Sequence, residues 1–146
     1  MTKILIKRLS KKVLIPKYET PGSSGMDICA NIEVNLNILP GEKKIIPTGL
    51  FLSIPKAFEI QIRPRSGLAA KSGISVLNTP GTIDSDYRGE IKVILINLSN
   101  EKFTVEKNAR IAQMVLCPIV QAELEEVDEL PTTTRGAGGF GSTGIK

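Results

Sequence analysis

Residues 76–90, VLNTPGTIDSDYRGE, pack a turn, two acids, a phenol, a guanidinium and a third acid into fifteen positions. Asn78, Pro80 and Gly81 are turn residues, each for its own backbone reason. Thr82 and Ile83 then begin a short strand. Asp84, Asp86, Tyr87, Arg88 and Glu90 follow within seven positions. Five polar groups after a tight turn fit a loop shaped to hold a ligand. The competing reading is a solvated hairpin with local ion pairs.

Four further stretches carry potential chemistry. In SSGMDICA, residues 23–30, Asp27 stands between Met26 and Ile28, after a Ser-Ser-Gly turn. Taken alone it reads as an acid on the exposed face of an edge strand. In PRSGLAAKSG, residues 64–73, Arg65 and Ser66 fall where a strand ends and one helical turn begins. Free backbone N–H groups beside a guanidinium fork and a hydroxyl form an anion site. A capped turn with a surface arginine is the alternative. In RIAQMV, residues 110–115, Arg110 and Gln113 interrupt an apolar strand. Buried polar groups need hydrogen-bond partners, and partners inside the core are the simpler reading. The tail RGAGGFGSTG, residues 135–144, matches G-x-G-x-x-G at Gly136, Gly138 and Gly141. No helix is expected to follow it, so the match is not a dinucleotide fingerprint. A glycine-rich terminus is ordinarily disordered. Arg135 and Phe140 fit a mobile flap better, with one guanidinium for a phosphate and one ring for a base.

Composition narrows the classes. The 146 residues form one domain. A domain of that size buries about 68–70% of its unfolded surface without a disulfide or metal staple. A formal charge of +4 suits an anionic ligand, nucleotide or nucleic acid. Much of the excess lies at Lys3, Lys7, Arg8, Lys11, Lys12 and Lys17, as lysines protecting an edge strand. Aromatics make up 4% and Trp is absent, which argues against a stacking platform for single-stranded nucleic acid. The chain has no His, which excludes Ser–His–Asp and Cys–His nucleophile systems. Cys29 and Cys117 alone do not make a structural zinc site. Any metal is expected to be oxygen-bound, with magnesium on phosphates the obvious candidate. The two cysteines read as buried, reduced thiols of a cytoplasmic protein. MTKILIKRLSKKV has too short an apolar run for a secretory segment, and no stretch approaches a membrane span. Asn97-Leu98-Ser99 is a chance match to a glycosylation acceptor.

Short strand signals separated by Gly, Pro and Asn turns must position these groups. Strands are expected over 3–9, 26–34, 43–47, 50–54, 58–63, 91–98 and 111–120. Phe58, Ile60 and Ile62 alternate with Glu59, Gln61 and Arg63, the period of a half-buried strand. The near-continuous apolar runs at 91–98 and 111–120 predict burial on both faces. One helical turn is expected over 67–71, opened by Ser66 as N-cap. The pattern predicts an all-β sandwich or barrel with no second domain.

The five segments together resemble the trimeric, all-β dUTPases. SSGMDICA, PRSGLAAK, NTPGTIDSDYRGE, RIAQMV and RGAGGFGSTG match in order, and Pro47-Thr48-Gly49 also fits. The resemblance implies a jelly-roll-like β domain over 1–131, an active-site flap over 132–146, and a homotrimer with three shared sites. It implies hydrolysis of dUTP to dUMP and pyrophosphate by water attack on the α-phosphorus. Asp84 resembles the base that activates the water, and Asp27 the acid that holds waters on Mg2+. Arg65, Ser66, Gly67 and Gln113 resemble phosphate and water contacts. Asn78, Gly81 and Ile83 resemble the uracil readers, and Tyr87 the ring that leaves no room for a 2′-hydroxyl. Arg135 matches the flap arginine for the γ-phosphate. Phe140 matches its stacking ring, with Gly141, Ser142 and Thr143 adding contacts. Neither a nucleic-acid partner nor a membrane is implied. One departure is visible: Asn108-Ala109 stands where the family often has Gly and an acid, which puts an ion pair at Arg110 in doubt. Two other readings share the fold, a dCTP deaminase and a nucleotide-binding regulator without catalysis. The intact IDSDYRGE and the full tail favour the hydrolase.

Overall fold

The computed structural model describes residues 2–139. Eleven strands and one short helix follow in the order β1(Leu5–Arg8), β2(Gly25–Cys29), β3(Leu36–Ile38), β4(Lys43–Pro47), β5(Leu50–Ser53), β6(Phe58–Arg63), α1(Ser66–Ser72), β7(Ile74–Val76), β8(Gly81–Ile83), β9(Lys92–Asn97), β10(Phe103–Val105) and β11(Arg110–Pro118). They form four antiparallel sheets, ordered β2-β11-β6-β8, β4-β9-β7, β1-β5 and β3-β10. The all-β expectation is met. Of its two forms, a closed barrel is not found among the described residues.

Period-2 patterning explains the core. In β6, Ile60 and Ile62 are buried while Glu59, Gln61 and Arg63 face outward. Ile28 of β2 and Met114 of β11 are buried in the same cluster. Leu95, Val93, Ile46 and Ile74 fill it from the β4-β9-β7 sheet. A fully buried aliphatic side chain of this size contributes about 1.5–3 kcal/mol.

Pro47-Thr48-Gly49 is a corner that carries the chain from one sheet to another, because β4 pairs with β9 and β5 with β1. Gly49 has φ +69, and a Cβ there would lie 2.7 Å from Val13 and 2.8 Å from Asn31. Glycine alone fits both demands.

Three local expectations are corrected. Ser66 is not the N-cap. Arg65 holds that place with extended backbone, φ −87 and ψ 126, and makes no side-chain cap bond. Ser66 is the first helical residue, so its hydroxyl is not spent on the cap. The 91–98 run is not buried on both faces. Val93, Leu95 and Asn97 are buried, whereas Ile94 and Ile96 on the other face are only half-buried. Arg110 is no core residue, its side chain being 54% exposed. The three-residue strands β3, β7 and β10 lie outside the strands expected from sequence. No helix among the described residues is long and apolar enough to cross a membrane.

Candidate active site

Asp27, Gln113 and Arg63 form one row across β2, β11 and β6, since Gln113 faces Asp27 on one side and Arg63 on the other. Asp27 is the centre of a charge cluster. Its Oδ1 accepts from Arg65 Nε at 2.9 Å and its Oδ2 from Arg110 Nη1 at 3.3 Å. Arg65 Nη1 also donates to the Arg110 carbonyl at 3.4 Å. Two guanidinium groups against one carboxylate leave the cluster cationic, the sign an oligophosphate requires. The ion pair that the Asn108-Ala109 departure put in doubt therefore exists, with Asp27 as the partner. Asn108 itself adopts φ 61, a left-handed position that asparagine tolerates better than most residues. It thus replaces the turn function of a glycine there.

Gln113 is set by two neighbours. Its Nε2 donates to the Pro64 carbonyl at 3.0 Å, just before Arg65. Its Oε1 lies 2.3 Å from where a Gly25 Cβ would stand, so glycine at 25 makes room for the amide. Cys29 is close to the same cluster. Burial pushes its thiol up from the ordinary range, and the Asp27 charge pushes it further. That keeps it a neutral thiol rather than a nucleophile.

The 76–90 segment builds a second group of residues. Asp84 is exposed and lines a cleft of about 380 Å3 with Ile45, Thr82, Ile83, Tyr87, Glu90 and Lys92. Asn78, Gly81 and Ile83 line a smaller recess beside it. The Tyr87 N–H donates to the Asp84 carbonyl at 3.2 Å, closing a turn that carries both side chains. Arg88 Nη1 donates to the carbonyls of Ser85 and Tyr87 and so stitches its own loop. Glu90, which sequence reasoning left without a role, accepts the Gly49 N–H on Oε1 at 2.8 Å. The spacing of Glu90 to the 47–49 corner is 41 positions, too far for any local signal.

Of the expected site residues, the structure brings Asp27, Arg65 and Gln113 together and adds Arg110. It brings Asn78, Gly81, Ile83, Asp84 and Tyr87 together elsewhere. Ser66 and Gly67 are exposed on the first turn of α1, next to Arg65. Asp84 and Tyr87 line one cleft, and Asp27 and Arg110 line another. The Asp27 group spans β2, β11 and the residues just past β6, and the Asp84 group lies on β8 and the loops that flank it. Arg135 is exposed and its Nε donates to the Gly138 carbonyl at 2.8 Å. Phe140, Gly141, Ser142 and Thr143 lie outside the described residues.

The residues fit magnesium only in an indirect manner. Among the described residues no three acids, cysteines or histidines gather as a ligand cage. Asp27 is the acid beside the cationic cluster. An ionised carboxylate offers about four acceptor sites, and the arginines use two of them. Mg2+ keeps several waters and is bound through one or two carboxylates plus phosphates. Asp27 can meet that demand through water.

A family profile described as dUTPase matches residues 11–144. A deoxyuridine 5'-triphosphate nucleotidohydrolase of Nautilia profundicola is 61% identical over 142 residues, covering 97% of this chain and 99% of that protein. Its counterpart from Fusobacterium nucleatum is 56% identical over 145 residues, 99% of each. Among solved structures, the Staphylococcus bacteriophage 80alpha dUTPase with dUpNHpp matches with a TM-score of 0.88 at 28% identity, over 99% of this chain and 100% of that one. A profile over most of the chain and relatives of this identity over nearly their whole length settle the family: the chain belongs to the dUTPases.

Proposed function

We infer that this chain hydrolyses dUTP to dUMP and pyrophosphate. The observation that carries the reading is the contrast among its acids. Asp27 is held by two arginines and Glu90 by the Gly49 N–H, whereas Asp84 is exposed to a cleft that Tyr87 walls. A general base must be free to take a proton. Asp84 takes one from water, the water oxygen bonds to the α-phosphorus, and the bond from that phosphorus to the bridging oxygen breaks. Pyrophosphate leaves with the electron pair.

Arg65, Ser66, Gly67 and Gln113 hold the phosphates, and the cationic sign of the Arg65–Asp27–Arg110 cluster supports that assignment. When bound, Mg2+ supplies charge neutralisation on the phosphate oxygens, with Asp27 orienting waters around it. Asn78, Gly81 and Ile83 read uracil. A tight backbone wall excludes the thymine methyl, and wrong hydrogen-bond polarity excludes cytosine. Tyr87 excludes a 2′-hydroxyl. Arg135 is assigned to the γ-phosphate and Phe140 to stacking on the base, with Gly141, Ser142 and Thr143 adding substrate contacts. A homotrimer with shared sites accounts for two groups that line different clefts of one chain, because a neighbouring chain brings the missing half to each. Two free thiols suit a reducing, cytoplasmic setting.

The test is pyrophosphate release with Mg2+, offering dUTP, dTTP, dCTP and UTP in parallel. Release from dUTP alone is expected. Reaction of dCTP alone, with ammonia as co-product, would overturn the reading in favour of a deaminase.

A further inference from the structure

Tyr87 is held at its backbone, its hydroxyl and its ring, although the residue is 44% exposed. Its N–H is tied to the Asp84 carbonyl at 3.2 Å. Its hydroxyl donates to the Glu90 carbonyl at 3.0 Å. Its ring lies directly on Gly89. A Cβ at that glycine would stand 2.3 Å from Oη, 2.5 Å from Cζ and 2.9 Å from Cε2 of the same tyrosine. Real Cβ atoms do not approach so closely, so the ring has this pose only because residue 89 has no side chain.

The support under Glu90 is equally fixed. Gly49 N–H donates to Glu90 Oε1 at 2.8 Å, and Ile91 N–H donates to the Leu50 carbonyl at 2.8 Å. Thr48, 1% exposed, donates its hydroxyl to the Ile91 carbonyl at 2.6 Å. Residues 90 and 91 are thereby pinned to the corner between two sheets. An ordinary exposed tyrosine exchanges rotamers at little cost. A steric wall can exclude a hydroxyl only by as much as it costs to move the wall. A ring that swings aside freely would exclude nothing.

We propose that Gly89 and Glu90 are positioning residues that lock Tyr87 as the sugar gate, and that this lock sets the preference for deoxyribose over ribose. Gly89 supplies the surface on which the ring lies. Glu90 supplies the carbonyl that fixes its hydroxyl and the carboxylate that anchors the support to Gly49. The inference rests on the reading of Tyr87 as the gate.

The test compares kcat/KM for dUTP with kcat/KM for UTP in the parent, Gly89→Ala, Tyr87→Phe, Tyr87→Ala and the Gly89→Ala/Tyr87→Ala double variant. Gly89→Ala is expected to lower the dUTP-to-UTP ratio by about tenfold, through a gain with UTP that exceeds any change in kcat with dUTP. On the Tyr87→Ala background the same change is expected to lower the ratio no further, because the residue it acts through is gone. Tyr87→Phe keeps the ring and removes only the bond to Glu90, and a smaller fall in the ratio is expected. It carries the test alone should Gly89→Ala not fold. A parental ratio in folded Gly89→Ala or in Tyr87→Phe overturns the proposal. So does an additive loss in the double variant. A parental ratio in Tyr87→Ala overturns the gate reading itself, an outcome distinct from failure of the lock.

Discussion

Arg65 Nε and Asp27 Oδ1 lie 2.9 Å apart across 38 positions of sequence. The pair joins the end of β6 to the middle of β2, two strands that are not neighbours. β11 runs between them and contributes Arg110, whose Nη1 reaches the other Asp27 oxygen. One carboxylate thus gathers two guanidinium groups, one on each of its oxygens. Each pair is partly exposed and would contribute little to stability alone. Its value lies in orienting the charge.

Asp27→Asn keeps an oxygen that can accept from Arg65 and removes the negative charge. Loss of an outer partner typically lowers metal affinity by 10–100-fold. The Mg2+ concentration giving half-maximal dUTP hydrolysis is therefore expected to rise by about tenfold or more. Titrating Mg2+ in a pyrophosphate-release assay checks this. An unchanged requirement would leave Asp27 as a charge-balancing partner of the arginines and nothing more.

Asp84→Asn changes one exposed atom's chemistry and almost no volume. A surface change of that type usually moves stability by less than about 0.5 kcal/mol. It removes the only role proposed for this carboxylate, that of base. The expected result is a fall in kcat by about 10²-fold or more with the melting temperature unchanged. Near-normal turnover would sink the assignment.

Truncation after Thr134 removes Arg135 and the whole glycine-rich segment. The contacts described at its start are local, from Arg135 to Gly138 and from Gly136 to Thr133. None of the eleven strands is touched. The truncated chain is expected to keep its melting temperature and oligomeric state and to lose most of its activity. Equal kcat/KM in the two forms would rule the tail out of the site.

How much of this was legible follows from what a sequence encodes locally. β4 matched its expected bounds and β6 its alternation, since a half-buried strand writes its period in side-chain type. β3, β7 and β10 are three residues each, too short to display any period. Ile94 and Ile96 misled because apolar character does not say whether the same chain covers that face. Ser66 misled by one position, because the cap is set by backbone angles at Arg65 and not by residue type alone. The site segments were legible as segments. The Arg110–Asp27 contact was not, because it depends on the β2–β11 register, which shifts between Arg110 and Ala112. A shift of that kind leaves no mark in composition.

Asn97 shows the same limit from the other side. Its tripeptide matches a glycosylation acceptor, yet its side chain is fully buried at 0% exposure. Nδ2 donates to the carbonyls of Ile38 at 2.9 Å and Glu101 at 2.7 Å, while Oδ1 accepts the N–H and hydroxyl of Ser99 at 2.9 and 2.8 Å. One amide thus ties β9 to the end of β3 and to the turn leading into β10. Asn97→Ala leaves these partners without their bonds and is expected to destabilise the fold by about 2–3 kcal/mol. Asn97→Asp puts an acceptor opposite two carbonyls and buries a charge without a counter-ion. It is expected to be worse than alanine. Urea unfolding midpoints at one protein concentration measure both. A loss below about 1 kcal/mol for alanine, or the reverse order of the two variants, would show that the network does not hold the strands together.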